Sequence, residues 1–389
     1  MLRPRRCPAA RGGNVTDLVL LAAGGTGGHL FPAEALAAVL TRQGFTVDLA
    51  TDARAARYAG HFPARELHVL PADTVRGRSP ISLARTGLAL ASGFVSSLAL
   101  LRRVKPVAVV GFGGYPTVPP LLAASFSGVP SIVHEANGVM GRANRLLARR
   151  VTAIATGFPG VVDADPALKA KAVWTGNPLR PAAIAAAAAP YDPPVPGGDL
   201  HVLVFGGSQG ARVMSDVVPE AIARLSADLR ARLVLVQQAR EEDLDRVRDT
   251  YARLGVRAEV RTFFDDLPAR MAGAHLVISR SGAGTVAELA ALGRPSILVP
   301  LPHALDQDQA ANARSLADVG AALVLRQVEF EPDRLALELN TFAVEPASLT
   351  RMADRARSQS VLDAAERLGG LVRHLAGGGA VATFRGNSA

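Results

Sequence analysis

The chain has 389 residues, 43 Lys and Arg against 34 Asp and Glu, 49% hydrophobic residues and few aromatics. At roughly 100–200 residues per domain the length predicts two domains, and the composition is that of a soluble α/β protein, which excludes disorder over most of the chain. One cysteine, Cys7, excludes an internal disulfide or a cysteine metal cluster and fits a reducing cytosol.

The first residues, MLRPRRCPAARGGNVTD, carry the charge of a signal peptide. The apolar run that follows, Val15 to Ala23, is short and broken by Asp17, so residues 1–16 are expected to be a disordered basic extension. From there strand-like runs at Leu18–Ala22, Thr46–Ala50, Ala108–Gly111 and Ser131–His134 alternate with apolar stretches of helical spacing. That rhythm predicts a parallel sheet over residues 17–178. A Pro- and Gly-rich stretch, RPAAIAAAAAPYDPPVPGGD, reads as a linker over 179–199. The rhythm then restarts with His201–Phe205, Leu233–Gln237, His275–Ser279 and Ser296–Pro300, predicting a second domain over 200–360. Helical spacing resumes over 361–376, and 377–389 is expected to be a disordered tail. Two doubly wound domains would face each other across a cleft, because open α/β sheets bind ligands at the carboxyl ends of their strands.

Charge is unevenly divided. Residues 1–180 hold 21 Lys and Arg against 9 Asp and Glu, a net +12, which leaves 22 against 25, a net −3, for 181–389. A basic first half points to an anionic partner, nucleic acid or lipid. With only 18 Phe, Tyr and Trp in the chain, the basic surface lacks the interleaved aromatics that would stack bases. Nucleic acid is therefore not the expected partner.

Four glycine loops follow predicted strands: GGTGGH (24–29), GFGGY (111–115), GGSQGAR (206–212) and RSGAGT (280–285). Glycine lets backbone N–H groups approach an anion, and the helix behind adds its positive end, so a diphosphate is the natural guest. A dinucleotide fingerprint fits poorly: starting at Gly25, Leu30 stands where its third glycine belongs, although Asp52 could supply the acid. His29 stands before a helix expected to begin near Pro32. The helix field would keep its ring neutral, as a general base; capping the turn or bonding a backbone carbonyl is the alternative. Glu288, expected in the first turn of a helix, is placed to accept two ribose hydroxyls or to close a capping box with Thr285. Asp306, Gln307, Asp308, Gln309 and Asn312 form a polar cluster suited to sugar hydroxyls. No cluster with metal-ligand spacing, serine-hydrolase elbow or Walker loop is present in the sequence.

Taken in order, GGTGGH, GFGGY, HEANGVMGRANR (134–145), GNPLR (176–180), GGSQGAR, RSGAGTVAE and VPLPHALDQDQAANA (299–313) resemble the MurG family of membrane-associated N-acetylglucosaminyltransferases, from about Leu18 to Leu375. The resemblance implies a GT-B fold, two Rossmann-like domains facing across a cleft with the last helix crossing back to the first. It implies transfer of GlcNAc, with inversion, from UDP-GlcNAc to the 4-hydroxyl of MurNAc in undecaprenyl-pyrophosphoryl-MurNAc-pentapeptide, lipid I, making lipid II for peptidoglycan. It also implies work at the cytoplasmic face of the cell membrane, beside other cell-wall synthesis proteins, with no cofactor and no metal. The donor contacts it implies are Thr26, Gly27, Gly28, Asn137, Arg180, Ser208, Phe264, Glu288, Asp308 and Gln309, with the backbone at Phe264 reading uracil and Glu288 taking the ribose. His29 matches the histidine taken as the base or as an acceptor-site residue; Gly113, Gly114 and Tyr115 fall on the acceptor side. The family usually reads HEQN where this chain has Ala136 in place of glutamine.

The segment 76–105 is an apolar run bounded by Arg76, Arg78, Arg102, Arg103 and Lys105 and containing Arg85. It touches the ~20-residue threshold of a membrane span, but the internal arginine favours a helix packed on the domain that rests on anionic lipid, over a plain core helix or a true span. Two other classes remain open at this point: a UDP-sugar 2-epimerase of the same shape, and a non-catalytic sugar-nucleotide sensor.

Overall fold

The computed structural model describes residues 17–24, 27–53, 62–71, 80–207, 210–302 and 307–385, leaving aside the side chains of 80–86. The expected basic extension, Thr26, Arg76, Arg78, Asp306 and Ser208 lie outside the described residues.

Seven parallel strands form the first sheet: β1 (Leu18–Ala22), β2 (Thr46–Thr51), β3 (Leu67–Val69), β4 (Ala108–Gly111), β5 (Ser131–Glu135), β6 (Ala153–Thr156) and β7 (Ala172–Trp174), ordered β3-β2-β1-β4-β5-β6-β7. Six more, β8 (Leu200–Phe205), β9 (Leu233–Gln238), β10 (Arg257–Arg261), β11 (Leu276–Ser279), β12 (Ser296–Leu298) and β13 (Ala322–Val324), form the second, ordered β10-β9-β8-β11-β12-β13. β1 is buried throughout, as a strand covered by helices on both faces must be. In each sheet the order reverses beside the first strand of the domain, between β1 and β4 and between β8 and β11. All four glycine loops lie at the carboxyl ends of those strands, the crevice in which open α/β sheets bind ligands.

The first sheet is packed on one face by the helix Gly27–Arg42 and the C-terminal helix Ala364–Ala376, whose Leu368, Leu371, Val372 and Leu375 join the same core as Val19 and Leu21. Gly369 permits that helix pairing, since a β-carbon there would lie 2.8 Å from Val39. The opposite face carries the helices Pro80–Val104, Val118–Phe126 and Arg142–Ala148.

Several expectations change. The helix after β1 starts at Gly27, so Pro32 lies inside it and His29 stands in its first turn. The expected linker is not a free connector. It contains the helix Pro181–Ala186, and Leu179, Ala183 and Ala187 are buried in the second domain's core. Arg357 donates to the carbonyls of Ala187 and Ala189, and Arg294, buried and stacked on Tyr191, donates to that of Pro190. Residues 377–385 of the expected tail are ordered: Val381–Thr383 forms a 3₁₀ turn, and Val381 and Phe384 pack against the first domain's core, with the Phe384 ring 5.5 Å from that of His374.

Because the C-terminal helix completes the first domain's core, Leu371→Ala should cost about 2–5 kcal/mol, as buried leucine truncations do. Leu337→Ala, at an exposed position, should stay within about 0.5 kcal/mol. Urea unfolding of both variants checks this; equal midpoints would contradict it.

Candidate active site

β1 ends at Ala22, and Gly24 follows against Asp52 and Pro116, with a β-carbon at 24 falling 3.2 Å from the Asp52 carboxylate. Asp52 is buried there against the loop, not extended toward a ribose as a dinucleotide fold would have it. The His29 Nδ1 lies 2.9 Å from the Gly24 carbonyl. A carbonyl only accepts, so Nδ1 carries the hydrogen and Nε2 keeps the lone pair. Burial pushes the ring below the usual imidazole range and outweighs the carbonyl contact that raises it. The carbonyl contact expected as one reading of His29 is present, and it selects the tautomer that leaves Nε2 as an acceptor.

Gly113 and Gly114 lie against that ring with φ of 92° and 76°, and a β-carbon at Gly113 would stand 3.4 Å from His29 Nε2. The left-handed conformation requires glycine at both positions. Tyr115, half-buried, opens the 3₁₀ turn Tyr115–Thr117. Next to this wall, His134 is buried, its Nε2 3.2 Å from the Gly176 carbonyl, and burial pushes its ring down to about 4.

Glu135, at the end of β5, is buried as well. Its Oε1 accepts from the Asn137 amide and side chain, and its Oε2 accepts from the Gly141 amide at 2.8 Å and Asn144 Nδ2 at 2.7 Å. Burial raises its pKa and these four bonds oppose the rise. The loop so shaped meets the second domain. Asn312 is fully buried, its Oδ1 accepting from the Gly138 amide at 2.7 Å and its Nδ2 donating to Asn137 Oδ1 and the Ser281 carbonyl, both at 3.1 Å. Gly138 sits close enough to Ala311 that a β-carbon would fall 3.2 Å from its backbone.

On the second domain Glu288 lies in the second turn of the helix Ala283–Leu292, not the first, and Gly282 is the N-cap, without a side-chain cap. The capping-box reading therefore falls. Instead Arg180 forks onto Glu288 across 108 residues, Nε to Oε1 and Nη2 to Oε2 both at 2.8 Å, while its guanidinium lies over the Phe31 ring at 5.0 Å. Burial raises the Glu288 pKa against the pull of Arg180.

Asp308 opens the helix Asp308–Ala317 and accepts from the Gln309 amide; Gln309 Oε1 accepts from the Leu301 amide, and its carbonyl takes the Ser281 hydroxyl. Phe264 is buried beneath the Arg270 guanidinium at 4.4 Å, so that residue can offer a ligand its backbone but not its ring. Gly27, half-buried, and Gly28, exposed, open the first turn of the helix after the first glycine loop. The structure thus brings Gly27, Gly28, His29, Gly113 and Gly114 to one wall, and Arg180 with Glu288 and Asn137 with Asn312 to the seam between the domains.

Sequence reasoning missed Phe31, Glu135 and Asn144 as site residues and left Asn312 in a general polar cluster. It also had no spacing signal for Asp48, Glu66 and His68, whose ligand atoms fall within 4.8 Å of one another. The buried Asp48 is already held by the Arg65 fork and by His68 Nε2, a neutralised cluster away from the glycine loops.

The N-terminal domain model of glycosyltransferase family 28 matches residues 19–156, and the C-terminal domain model of the same family matches residues 201–368. A UDP-N-acetylglucosamine--N-acetylmuramyl-(pentapeptide) pyrophosphoryl-undecaprenol N-acetylglucosamine transferase of Nitrobacter hamburgensis is 60% identical over 361 residues, covering 93% of this chain and 98% of that one. The crystal structure of Acinetobacter baumannii MurG superposes with a TM-score of 0.75 at 29% identity, covering 92% of this chain and 99% of that one. A UDP-GlcNAc 2-epimerase of Neisseria meningitidis, 14% identical, TM-score 0.63, and covering 90% of this chain and 98% of that one, shares the fold alone. With both of its domain models matched and a relative of this identity along almost its whole length, the chain belongs to glycosyltransferase family 28 and, within it, to the MurG family.

Proposed function

We propose that this chain transfers GlcNAc from UDP-GlcNAc to the 4-hydroxyl of MurNAc on undecaprenyl-pyrophosphoryl-MurNAc-pentapeptide, with inversion. The observation that carries the reading is the His29 tautomer: a neutral Nε2 acceptor beside two left-handed glycines, on the wall facing the seam that holds Arg180 and Glu288. His29 Nε2 takes the proton of the acceptor hydroxyl as its oxygen forms the bond to the sugar's anomeric carbon. The bond from that carbon to the diphosphate breaks on the opposite face, and its electron pair leaves with UDP. Arg180, Ser208 and the amides of the glycine loops stabilise the charge that develops there. Thr26, Gly27 and Gly28 take part in donor binding. Glu288 binds the ribose, the backbone at Phe264 the uracil, and Asn137, Asp308 and Gln309 the GlcNAc; Gly113, Gly114 and Tyr115 face the acceptor. The 60% identity to a named transferase along nearly the whole chain favours this over an epimerase or a sensor.

The same reading places the chain on the cytoplasmic face of the membrane. The helix Pro80–Val104 buries Gly93, Ser97, Leu100 and Leu101 against its own domain and exposes Leu88, Ala91, Ser92, Val95, Ala99 and Arg102 along one stripe. Its stretch Gly87–Val104 is apolar and long enough to cross a membrane, but the buried stripe ties it to the domain. Beside it Phe126 is 67% exposed, stacked edge-on against Phe94 at 5.8 Å and under the Arg150 guanidinium at 5.5 Å. Apolar side chains flanked by arginines suit the boundary of an anionic bilayer.

Radiolabelled GlcNAc supplied as the UDP donor with a short-chain lipid I analogue should yield labelled disaccharide-lipid even with UDP-GalNAc in competition; UDP-GlcNAc binding without transfer would overturn the reading. His29→Ala should lower kcat about 10²- to 10⁴-fold and leave UDP affinity close to wild type. Since burial holds His29 below the usual imidazole range, the acid limb of kcat/KM should fall with a midpoint under 6.5, activity being lost as the ring is protonated; a midpoint above 6.5 would count against it. Reversing Arg102 and Arg103 to glutamate should weaken binding to anionic vesicles more than about tenfold, at roughly 1 kcal/mol per surface charge. Unchanged sedimentation with vesicles would remove the membrane face.

A further inference from the structure

We propose that Phe31 is a positioning residue whose ring holds the Arg180 guanidinium at the seam between the domains, so that Arg180 can release Glu288 and turn to a nucleoside diphosphate. This rests on the reading that Arg180 serves the diphosphate and Glu288 the ribose.

Phe31 stands on the first domain, in the second turn of the helix Gly27–Arg42. Its ring lies against the first turn of that helix, where the first glycine loop runs into it: a β-carbon at Gly27 would meet Phe31 Cε2 at 3.0 Å. Phe31 is 43% exposed, so the fold leaves it only partly covered. Over its face, at 5.0 Å from the centroid, sits the Arg180 guanidinium. Arg180 follows Leu179, which is buried in the second domain, and its Nε and Nη2 edge forks onto Glu288 of that domain. One guanidinium is therefore held by its face from one domain and by its edge from the other.

The two holds differ in kind. The fork depends on direction and uses both carboxylate oxygens, so ribose hydroxyls arriving at Glu288 compete with the N–H donors of Arg180. A cation over an aromatic face has no such demand: the guanidinium can turn in its own plane and keep the attraction of the ring quadrupole. When the nucleotide takes the carboxylate, Phe31 keeps the freed edge of Arg180 beside the glycine loop and does not let it swing into water. An aliphatic residue at 31 would cover the loop but lack that hold.

The test is calorimetric titration of UDP and of uridine into the full-length protein and its Phe31→Leu, Phe31→Met and Phe31→Tyr variants, each first checked for an unchanged melting transition. Two aliphatic replacements guard against one that fails to fold. In the wild type UDP should bind more tightly than uridine. Leucine and methionine should shrink that preference by about three- to tenfold, the size expected of one cation–aromatic contact, with uridine affinity unchanged, and tyrosine should restore it. A purely structural role would weaken both ligands together and gain nothing from tyrosine. If the aliphatic variants keep the wild-type preference for UDP, Phe31 has no such role. If the wild type itself shows no preference, the assignment of Arg180 to the diphosphate fails, and the proposal fails with it.

Discussion

A carboxylate buried at the end of β5 sets the shape of the cleft. Charge removed from water is tolerated only when it is paired or fully hydrogen-bonded, and Glu135 meets that condition through four donors, three of them from the six residues that follow it and the fourth from Asn144. Satisfying Glu135 curls residues 136–141 into one conformation. That conformation presents the Gly138 amide and the Asn137 side chain to Asn312, so the contact between domains follows from the solvation of a single acid in the first. The second domain answers in kind: Asn312, buried itself, also holds the Ser281 carbonyl, and Ser281 in turn holds the carbonyl of Gln309. Polar groups that water would otherwise solvate become a seam, and the glycine loops open on either side of it.

The chemistry divides along that seam. The first domain contributes a neutral acceptor whose tautomer is chosen by a backbone carbonyl and whose face is kept clear by two glycines in left-handed conformations. The second contributes a carboxylate and, through the residue just past the crossing, a guanidinium. On the proposed reading the base stands on the first wall and the Arg180 guanidinium on the second. Catalysis by such a pair of walls depends on how the domains are set against each other, which gives the contacts at Asn312 and Arg180 their weight.

Much of this was legible in the chain. The runs that became β1, β4, β5, β8, β9 and β11 stand out because strands buried on both faces are predominantly apolar. β3, β7 and β13 are three residues each, and β10, Arg257–Arg261, carries three charges on an edge, so neither length nor hydropathy marks them. Local spacing suggested a cap for Glu288 because its real partner lies 108 residues away; no window on the sequence holds both. Phe31 reads as one more apolar residue of an apolar helix, and only the fold reveals that its ring is left uncovered beneath a cation. His29 was legible as a candidate, while the reason for its neutrality was not: burial keeps the ring below the usual imidazole range against the Gly24 carbonyl contact, which raises it. The Pro- and Gly-rich stretch looked like a tether because alanines give no periodic signal, yet Ala183 and Ala187 are small enough to be buried completely.

That last feature bears on how the molecule can move. With Arg357 and Arg294 clasping the carbonyls of residues 187–190, the stretch after Leu179 travels with the second domain as part of its body. Asn177, by contrast, is fastened to the first domain through the Ala136 carbonyl. The return of the chain passes the same spot, where Gly176, at φ 80°, is pressed against Val361 and Ala364. Both passages between the lobes thus run through one small knot, with little more than Pro178 left free on the outward one. Any reorientation of the lobes becomes a swivel about that knot, small at the Arg180 side chain and largest at the far lips of the cleft, where the proposed lipid-linked acceptor would enter and the product would leave.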